Sequence, residues 1–406
     1  MVYSKICEWL NDFIDDEQPD ELLDTWDCTK WIEDSEVVMI FNEIVLPTFK
    51  TNRAHTDATQ ILHTLIWEYF QFRKAEAISK YVDDTNAYER LKNTSSIKCN
   101  SEEWLKMRNQ ILLPNEFSNI LANPSNRIHL LRKKCSNNIS YDNPNKSVWA
   151  CFKHITGKIY EDLYKHQIFT DLDCIKHSSL TNLASIPDGI ISNGKLIKLF
   201  CPLNGGLYKD DIPYEHYCQM QIELEICNIG AIDYFECKIK SGATWDSDTT
   251  DCPSGYAGSI IIYSIADNEE KLCYLYSPLF PNTCSGRSDA MKWNPRRNDS
   301  CSSSDNECQD CRMNIDLSGN AELITCIKCS SIGIKILEKI VWQTDKWQNT
   351  TVLRNKRWWS SVALNEYNQF WLDVKKSQDD PMYLTPDLSF SRKAMFLDED
   401  ELFGVK

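Results

Sequence analysis

The sequence predicts an α/β fold, a mixed sheet flanked by helices, and three neighbouring stretches predict it. Leu196 to Phe200 is a short apolar run with one lysine, which reads as a buried strand. Tyr217 to Cys227 has helical spacing, with Tyr217, Met220, Leu224 and Cys227 on one face and Gln219 and Glu223 on another. Ile232 to Ile239 is a second apolar run that would pair beside the first. Strand, helix and strand together make the βαβ unit of a mixed sheet. Pro187-Asp188-Gly189, just upstream, is a turn signal that carries one carboxylate.

Length and charge bound the rest. A chain of 406 residues can bury at least one large core, and two domains are compatible with it. A net charge of −15 disfavours a general nucleic-acid-coating protein. The acidity is uneven: residues 1–50 hold thirteen Asp and Glu against three Lys, whereas 124–166 is locally basic. The chain has 18 cysteines, but its first residues, MVYSKICEWLNDF, lack an apolar signal segment, so a reducing compartment is expected. No apolar run reaches membrane-spanning length.

Residues 1–95 read as helices. Ile6, Trp9, Leu10 and Phe13 have helical spacing, as do Ile61, Leu62, Leu65, Ile66 and Tyr69. The acidic run Asp15 to Glu21 reads as a solvated loop or helix end. Trp67, Tyr69, Phe70 and Phe72 read as core or interface rather than a base-stacking platform. Ser101 is an N-cap candidate ahead of Glu102 and Glu103. Arg127, Arg132, Lys133 and Lys134 with His129 form a cationic cluster, equally readable as a phosphate-contacting patch or an ordinary charged loop. Residues 147–166 read as a helix with Val148, Phe152, Ile155, Ile159 and Leu163 on one face. Ser241 to Ser259 reads as a Gly/Asp/Ser-rich loop, followed by a strand pair at Ile260–Ser264 and Leu272–Ser277. Gly333 to Trp342 reads as a strand, and Trp358, Val362, Leu364, Tyr367, Phe370 and Trp371 suit an amphipathic helix.

Two CxxC pairs, Cys308/Cys311 and Cys326/Cys329, lie fourteen residues apart. Paired knuckles place four thiolates for tetrahedral zinc, so one structural zinc ion is expected, with Cys284 and Cys301 as spare candidates.

The central stretch resembles the lambda-exonuclease-like, YqaJ-type viral recombinase family of PD-(D/E)XK nucleases. The family pattern is PDG, an E-x-K followed by Cys-Pro, and a helix with Q-x-Q. Here PDG is 187–189, Cys-Pro is 201–202, and Q-x-Q is Gln219 and Gln221. The segment from Ile212 to Lys238 looks most like the versions carried by large DNA viruses. The resemblance implies a restriction-endonuclease-like sheet. It also implies that Asp188 and Glu161, the latter in Gly157-x-x-x-Glu161, are metal-ligating carboxylates, and that Gln219 lies beside them. Arg108, four residues after Trp104, matches the family's phosphate-binding arginine, and Asn115 stands where the family has a phosphate-binding serine.

The departure is at the centre, because Lys198 and Phe200 occupy the E-x-K positions. Lys198 puts a cation where an acid should help hold Mg²⁺, and Phe200 removes the lysine that would stabilise developing charge. Ile186 and Gly206 replace a serine and an arginine of the terminal-phosphate pocket. One compensation is open: Lys198 as the lysine, with Glu223 or Glu225 as the acid. Both glutamates otherwise read as polar helix faces.

The expected organisation is an acidic helical region at 1–95, a nuclease-like core at 96–283, and a zinc-binding insertion at 284–331. A strand and helix completing the core follow at 332–375, then an acidic tail at 376–406. The implied function is a pseudo-nuclease serving as a binding or structural component of a viral DNA or virion complex. The alternative is an active Mg²⁺-dependent 5′–3′ exonuclease with rearranged ligands, and a weaker one is a host-interaction protein. Weak DNA binding and viral protein partners, no membrane, and a location in host cytoplasm, viral factory or virion complete the expectation.

Overall fold

The computed structural model describes residues 2–17, 36–94, 96–99, 101–122, 124–135, 148–202, 207–208, 212–241, 252–265, 268–293 and 334–379. The N-terminal helices are α1 (Val2–Glu17), α2 (Glu36–Ile40) and α3 (Asn52–Lys80). They share their own apolar cluster, in which Ile6, Leu10, Phe41, Leu62 and Ile66 are buried. Thr51 caps α3 by accepting from Ala54 N at 3.1 Å. Trp67 and Tyr69 pack on this cluster as expected, whereas Phe72 is exposed.

Four helices lead to the sheet: α4 (Thr85–Lys92), α5 (Glu102–Met107), α6 (Pro114–Ala122) and α7 (Pro124–Cys135). Ser101 caps α5, accepting from Trp104 N at 3.2 Å. The long helix α8 (Val148–Tyr164) buries Phe152, Ile155 and Ile159. Short strands follow: β1 (Ile168–Phe169), β2 (Ile175–Lys176), β3 (Ala184–Ser185) and β4 (Gly189–Ile191). The central unit is β5 (Leu196–Phe200), α9 (Tyr214–Cys227) and β6 (Ala231–Ser241). Strands β5 and β6 pair in parallel, so the βαβ unit is present.

The remaining strands are β7 (Cys252–Ile265), β8 (Asn268–Tyr276) and β9 (Phe280–Asn282). Helix α10 (Cys284–Lys292), strand β10 (Ile334–Leu353) and helix α11 (Leu364–Asp379) complete the described chain. The main sheet runs β1-β4-β5-β6-β10-β7-β8, with β9 paired to β7. Among the described strands of this sheet only β5–β6 is parallel, so the sheet is mixed. Helices α9 and α11 pack on one apolar cluster and α8 on another, which makes the fold a mixed α/β sheet flanked by helices. Among the described residues no helix is long and apolar enough to cross a membrane.

Four elements differ from the sequence expectation. Strand β7 begins at Cys252, inside the stretch read as a loop. Its small residues belong there because Gly258 lies against the buried Trp342: an added Cβ would sit 2.5 Å from the indole. Strand β10 continues to Leu353 through Thr350, Thr351 and Val352, whose β-branched side chains suit an extended ladder against β6. The following helix is interrupted by a π-helical turn at Trp359–Ala363. Helix α10, which no sequence signal had suggested, is capped by Thr283 and packs on β7 and β9.

Candidate functional site

Lys153, Gly157 and Glu161 follow one another at four-residue intervals on one face of α8. Gly157 lets this face approach β5, since an added Cβ would lie 3.3 Å from Leu199 Cδ1. The result is a cleft of about 390 Å³ lined by Lys153, Lys158, Glu161, Pro187, Asp188 and Leu199 among others. Thus Glu161 and Asp188, the two carboxylates expected to act together, do open onto one cleft. Both carry protein hydrogen bonds. Glu161 accepts from Ile168 N at 2.9 Å and from Lys158 Nζ at 2.7 Å. Asp188 accepts from Lys153 Nζ on Oδ1 and from Leu199 N at 2.9 Å on Oδ2. Its side chain is only 8% exposed. Burial works against its charge, but Lys153 and Lys198 outweigh burial and hold the carboxyl below the usual range.

Strand alternation divides the E-x-K positions from this cleft. Leu199 faces α8, whereas Lys198 and Phe200 face α9. Lys198 Nζ donates to Glu223 Oε1 at 2.6 Å. Glu223 is 3% exposed at its side chain, so it is not the solvated polar face that helical spacing suggested. The reason is that α9 is buried nearly all round, between the sheet and α6. Burial lowers the tendency of Lys198 to hold its proton, yet Glu223 and Asp188 overcome this and raise its pKa. Glu223 shifts upward too, through burial and the nearby Asp188 charge, against the pull of Lys198. Glu223 Oε2 has no hydrogen-bond partner among the described residues. Glu225 is used elsewhere, accepting from Arg354 Nε at 2.9 Å.

Phe200 fills the lysine position with an aromatic cluster. It stacks on Tyr234 at 6.1 Å and Tyr208 at 5.9 Å and meets His216 edge-on at 5.0 Å. His216 Nδ1 lies 2.8 Å from the Tyr234 hydroxyl. Burial and then Lys198 push the His216 pKa down to about 4, so the ring is neutral near pH 7. Glu236, in register with Phe200 across the sheet, is fully buried. Burial outweighs a hydrogen bond from Tyr208 N and raises its pKa to about 7.

Arg108, the phosphate contact that the resemblance implies, and two cations of the 127–134 cluster are committed within the protein. Arg108 makes a two-pronged ion pair with Glu116 at 3.1 and 2.7 Å. Lys134 joins it at 2.8 Å and is itself 1% exposed. Arg127 binds Glu366 and Asp373 at 2.9 and 2.7 Å. These pairs exist because α6, α7 and α11 pack together and must neutralise the charges they bury. Asn115 is exposed in the first turn of α6. Gln219 does not reach Lys198; its amide lies 3.5 Å from Ser118 Oγ and 3.4 Å from Glu215. Gln221 instead ties α9 to the end of β10, donating to Leu353 O at 2.7 Å and accepting from Asn355 N at 2.7 Å.

Lys153 and Glu116 are the residues that sequence reasoning missed. Lys153 had a usable signal, one helical turn before Gly157 on the Glu161 face. Glu116 had none, since its partners come from two other helices. The zinc candidates Cys308, Cys311, Cys326 and Cys329 lie outside the described residues, as does Gly206. Among the described residues no three His, Cys, Asp or Glu side chains come together in a metal-holding group.

These features define a mixed α/β protein with a carboxylate cleft on one side of its sheet and a buried Lys–Glu pair on the other. No family model matches the chain. It is similar to uncharacterized protein R354 of Acanthamoeba polyphaga mimivirus, 23% identical over 193 residues, covering 43% of this chain and 35% of that protein. The chain therefore spans about a third of that relative's length. Two solved structures to which it is similar are an alkaline exonuclease from Laribacter hongkongensis and the same enzyme in complex with dAMP. The first is 13% identical with a TM-score of 0.29, covering 34% of this chain and 74% of that one. The second is 11% identical with a TM-score of 0.29, covering 47% and 87%.

Proposed function

We propose that this chain is a lambda-exonuclease-like, YqaJ-type protein of a large DNA virus that has lost metal-dependent hydrolysis. It would serve as a binding or structural component of a viral DNA or virion complex. The observation that carries this reading is the Lys153 ammonium on Asp188 Oδ1, with Oδ2 held by Leu199 N. Mg²⁺ needs several hard oxygen donors in near-octahedral array. Here both Asp188 oxygens are engaged, Glu161 is tied to Ile168 N and Lys158, and the strand side chain facing them is the hydrocarbon of Leu199. The residues present do not fit the ion, and an internal ammonium supplies the neutralising charge instead. Incubation of end-labelled linear duplex DNA with Mg²⁺ or Mn²⁺ tests this. No shortening is expected, with weak binding that fades as salt rises. Robust digestion abolished by Asp188→Ala would overturn it.

One observation favours a second reading, an active exonuclease with rearranged ligands. Glu223 Oε2 is buried without a partner among the described residues, near both Lys198 and Asp188. On that reading Lys198 replaces the family's strand lysine and Glu223 its acid. Metal-dependent digestion lost in both Glu223→Gln and Lys198→Met would select it.

A further inference from the structure

A second cleft, of about 720 Å³, opens between α5, α7 and α11 and shares no residue with the Asp188 cleft. Lys106, Lys134 and Lys375 line it, and among the described residues no aspartate or glutamate does, in a chain of net charge −15. Carboxamides, among them Gln110 and Gln378, add neutral donors and acceptors. Trp371, with Leu105 and Val374, provides an apolar wall. The buried indole Nε1–H of Trp371 has no acceptor among the described residues. Lys134 is sealed into the floor, where it holds the Arg108 and Ile111 carbonyls at 3.3 and 2.5 Å. The Lys106 ammonium is exposed, and its ion pair to Glu102 at 2.6 Å is solvent-screened. Lys375 is exposed on α11, with no ion partner among the described residues.

We infer that this cleft binds a nucleotide, its phosphates against Lys106 and Lys375 and its base against Trp371 and the carboxamides. An inorganic anion alone would leave the apolar wall unused. A purely apolar ligand would leave the two exposed cations, Lys106 and Lys375, and the amides unused. The volume is within the range of small-ligand sites. The same chemistry reaches the cleft as a free nucleotide or as one residue of a single strand.

Calorimetric titration of the full chain with ATP, without divalent metal, tests the assignment. Inorganic phosphate and a short oligothymidylate serve as comparison probes. Saturable ATP binding is expected, weakened at least about tenfold by the double reversal Lys106→Glu/Lys375→Glu, since each removes a charge-assisted contact. Lys292→Glu, an exposed reversal on α10, should leave binding unchanged. Both cleft lysines are exposed, so the variants should keep the parent's far-ultraviolet dichroism, and the single Lys375→Gln gives a second, milder reading. Binding of oligothymidylate but not ATP, with the same sensitivity, would assign the site to a strand residue. Failure of both probes overturns the inference. So does equal loss in Lys292→Glu, or phosphate binding as tight as ATP. DNA digestion at the Asp188 cleft is a separate readout, so the two readings fail independently.

Discussion

Lys198 Nζ and Glu223 Oε1 lie 2.6 Å apart and join β5 to α9 where the glutamate is 3% and the lysine 20% exposed. Removing one partner of such a pair leaves an uncompensated buried charge, whereas replacing both with apolar groups can be nearly neutral. Lys198→Met should therefore cost about 3–5 kcal/mol of stability. The double variant Lys198→Met/Glu223→Leu should recover most of that loss. Urea unfolding of the four proteins measures the coupling. Additive losses would mean that the pair is solvated and structurally unimportant.

The Lys153–Asp188 contact predicts a distinct acid response. Asp188 has its carboxyl held below the ordinary range. Its stabilising contribution is thus present above the unfolded value of 3.8 and lost as pH falls through the lower folded value. Lys153→Met removes the larger of the two cationic influences, so the folded pKa should rise and acid unfolding should begin at higher pH. Tryptophan fluorescence across an acid titration reads this. An unchanged midpoint would show that Lys153 does not neutralise Asp188.

The βαβ unit was legible because β5, α9 and β6 each carry their own periodicity, and burial follows it. What periodicity could not show was the environment of a polar residue on a helix packed on both sides. Glu223 looked like a solvated position and is buried, because α6 covers the face that the sheet leaves open. The cleft was half legible: Glu161 and Asp188 were placed together by motif order. The strand residue that faces them, Leu199, follows from the side of β5 on which α8 packs, which is a tertiary fact. Arg108 illustrates the same limit, since Glu116 meets it only once α5 and α6 fold together.

Gly194 should tolerate no side chain. It has φ +93°, and an added Cβ would lie 1.7 Å from the Asp84 carbonyl oxygen. That contact locks the β4–β5 hairpin against the start of α4, where Asp84 caps Ala87 N at 3.2 Å. Backbone strain and steric overlap together should cost Gly194→Ala more than about 2 kcal/mol. A melting temperature equal to the parent's would show that the hairpin moves freely from α4.

We expect one tightly bound zinc ion per chain, held by Cys308, Cys311, Cys326 and Cys329. Thiolate zinc sites of this spacing couple metal binding to local folding. Elemental analysis should give one zinc, and serine substitution at Cys326 and Cys329 should release it. A zinc-free purified protein would sink the assignment.

Glu236 predicts the pH dependence at the other end of the range. Its side chain is fully buried; among the described residues Oε1 accepts only Tyr208 N, at 3.2 Å, and Oε2 has no partner. Burial raises its pKa from 4.5 to about 7. A group raised on folding stabilises while protonated, so its contribution is fully present below pH 4.5 and is lost as pH rises through about 7. The loss corresponds to about 3 kcal/mol as an order of magnitude. Glu236→Gln keeps the shape and cannot ionise. It should match the parent near pH 4.5 and exceed it in stability by up to about 3 kcal/mol at pH 8, the gap opening between those limits. Urea unfolding at stepped pH supplies the comparison. A variant less stable than the parent at pH 8 would mean that the ionised carboxylate is matched by a bound cation, and that its burial is a binding feature rather than a cost.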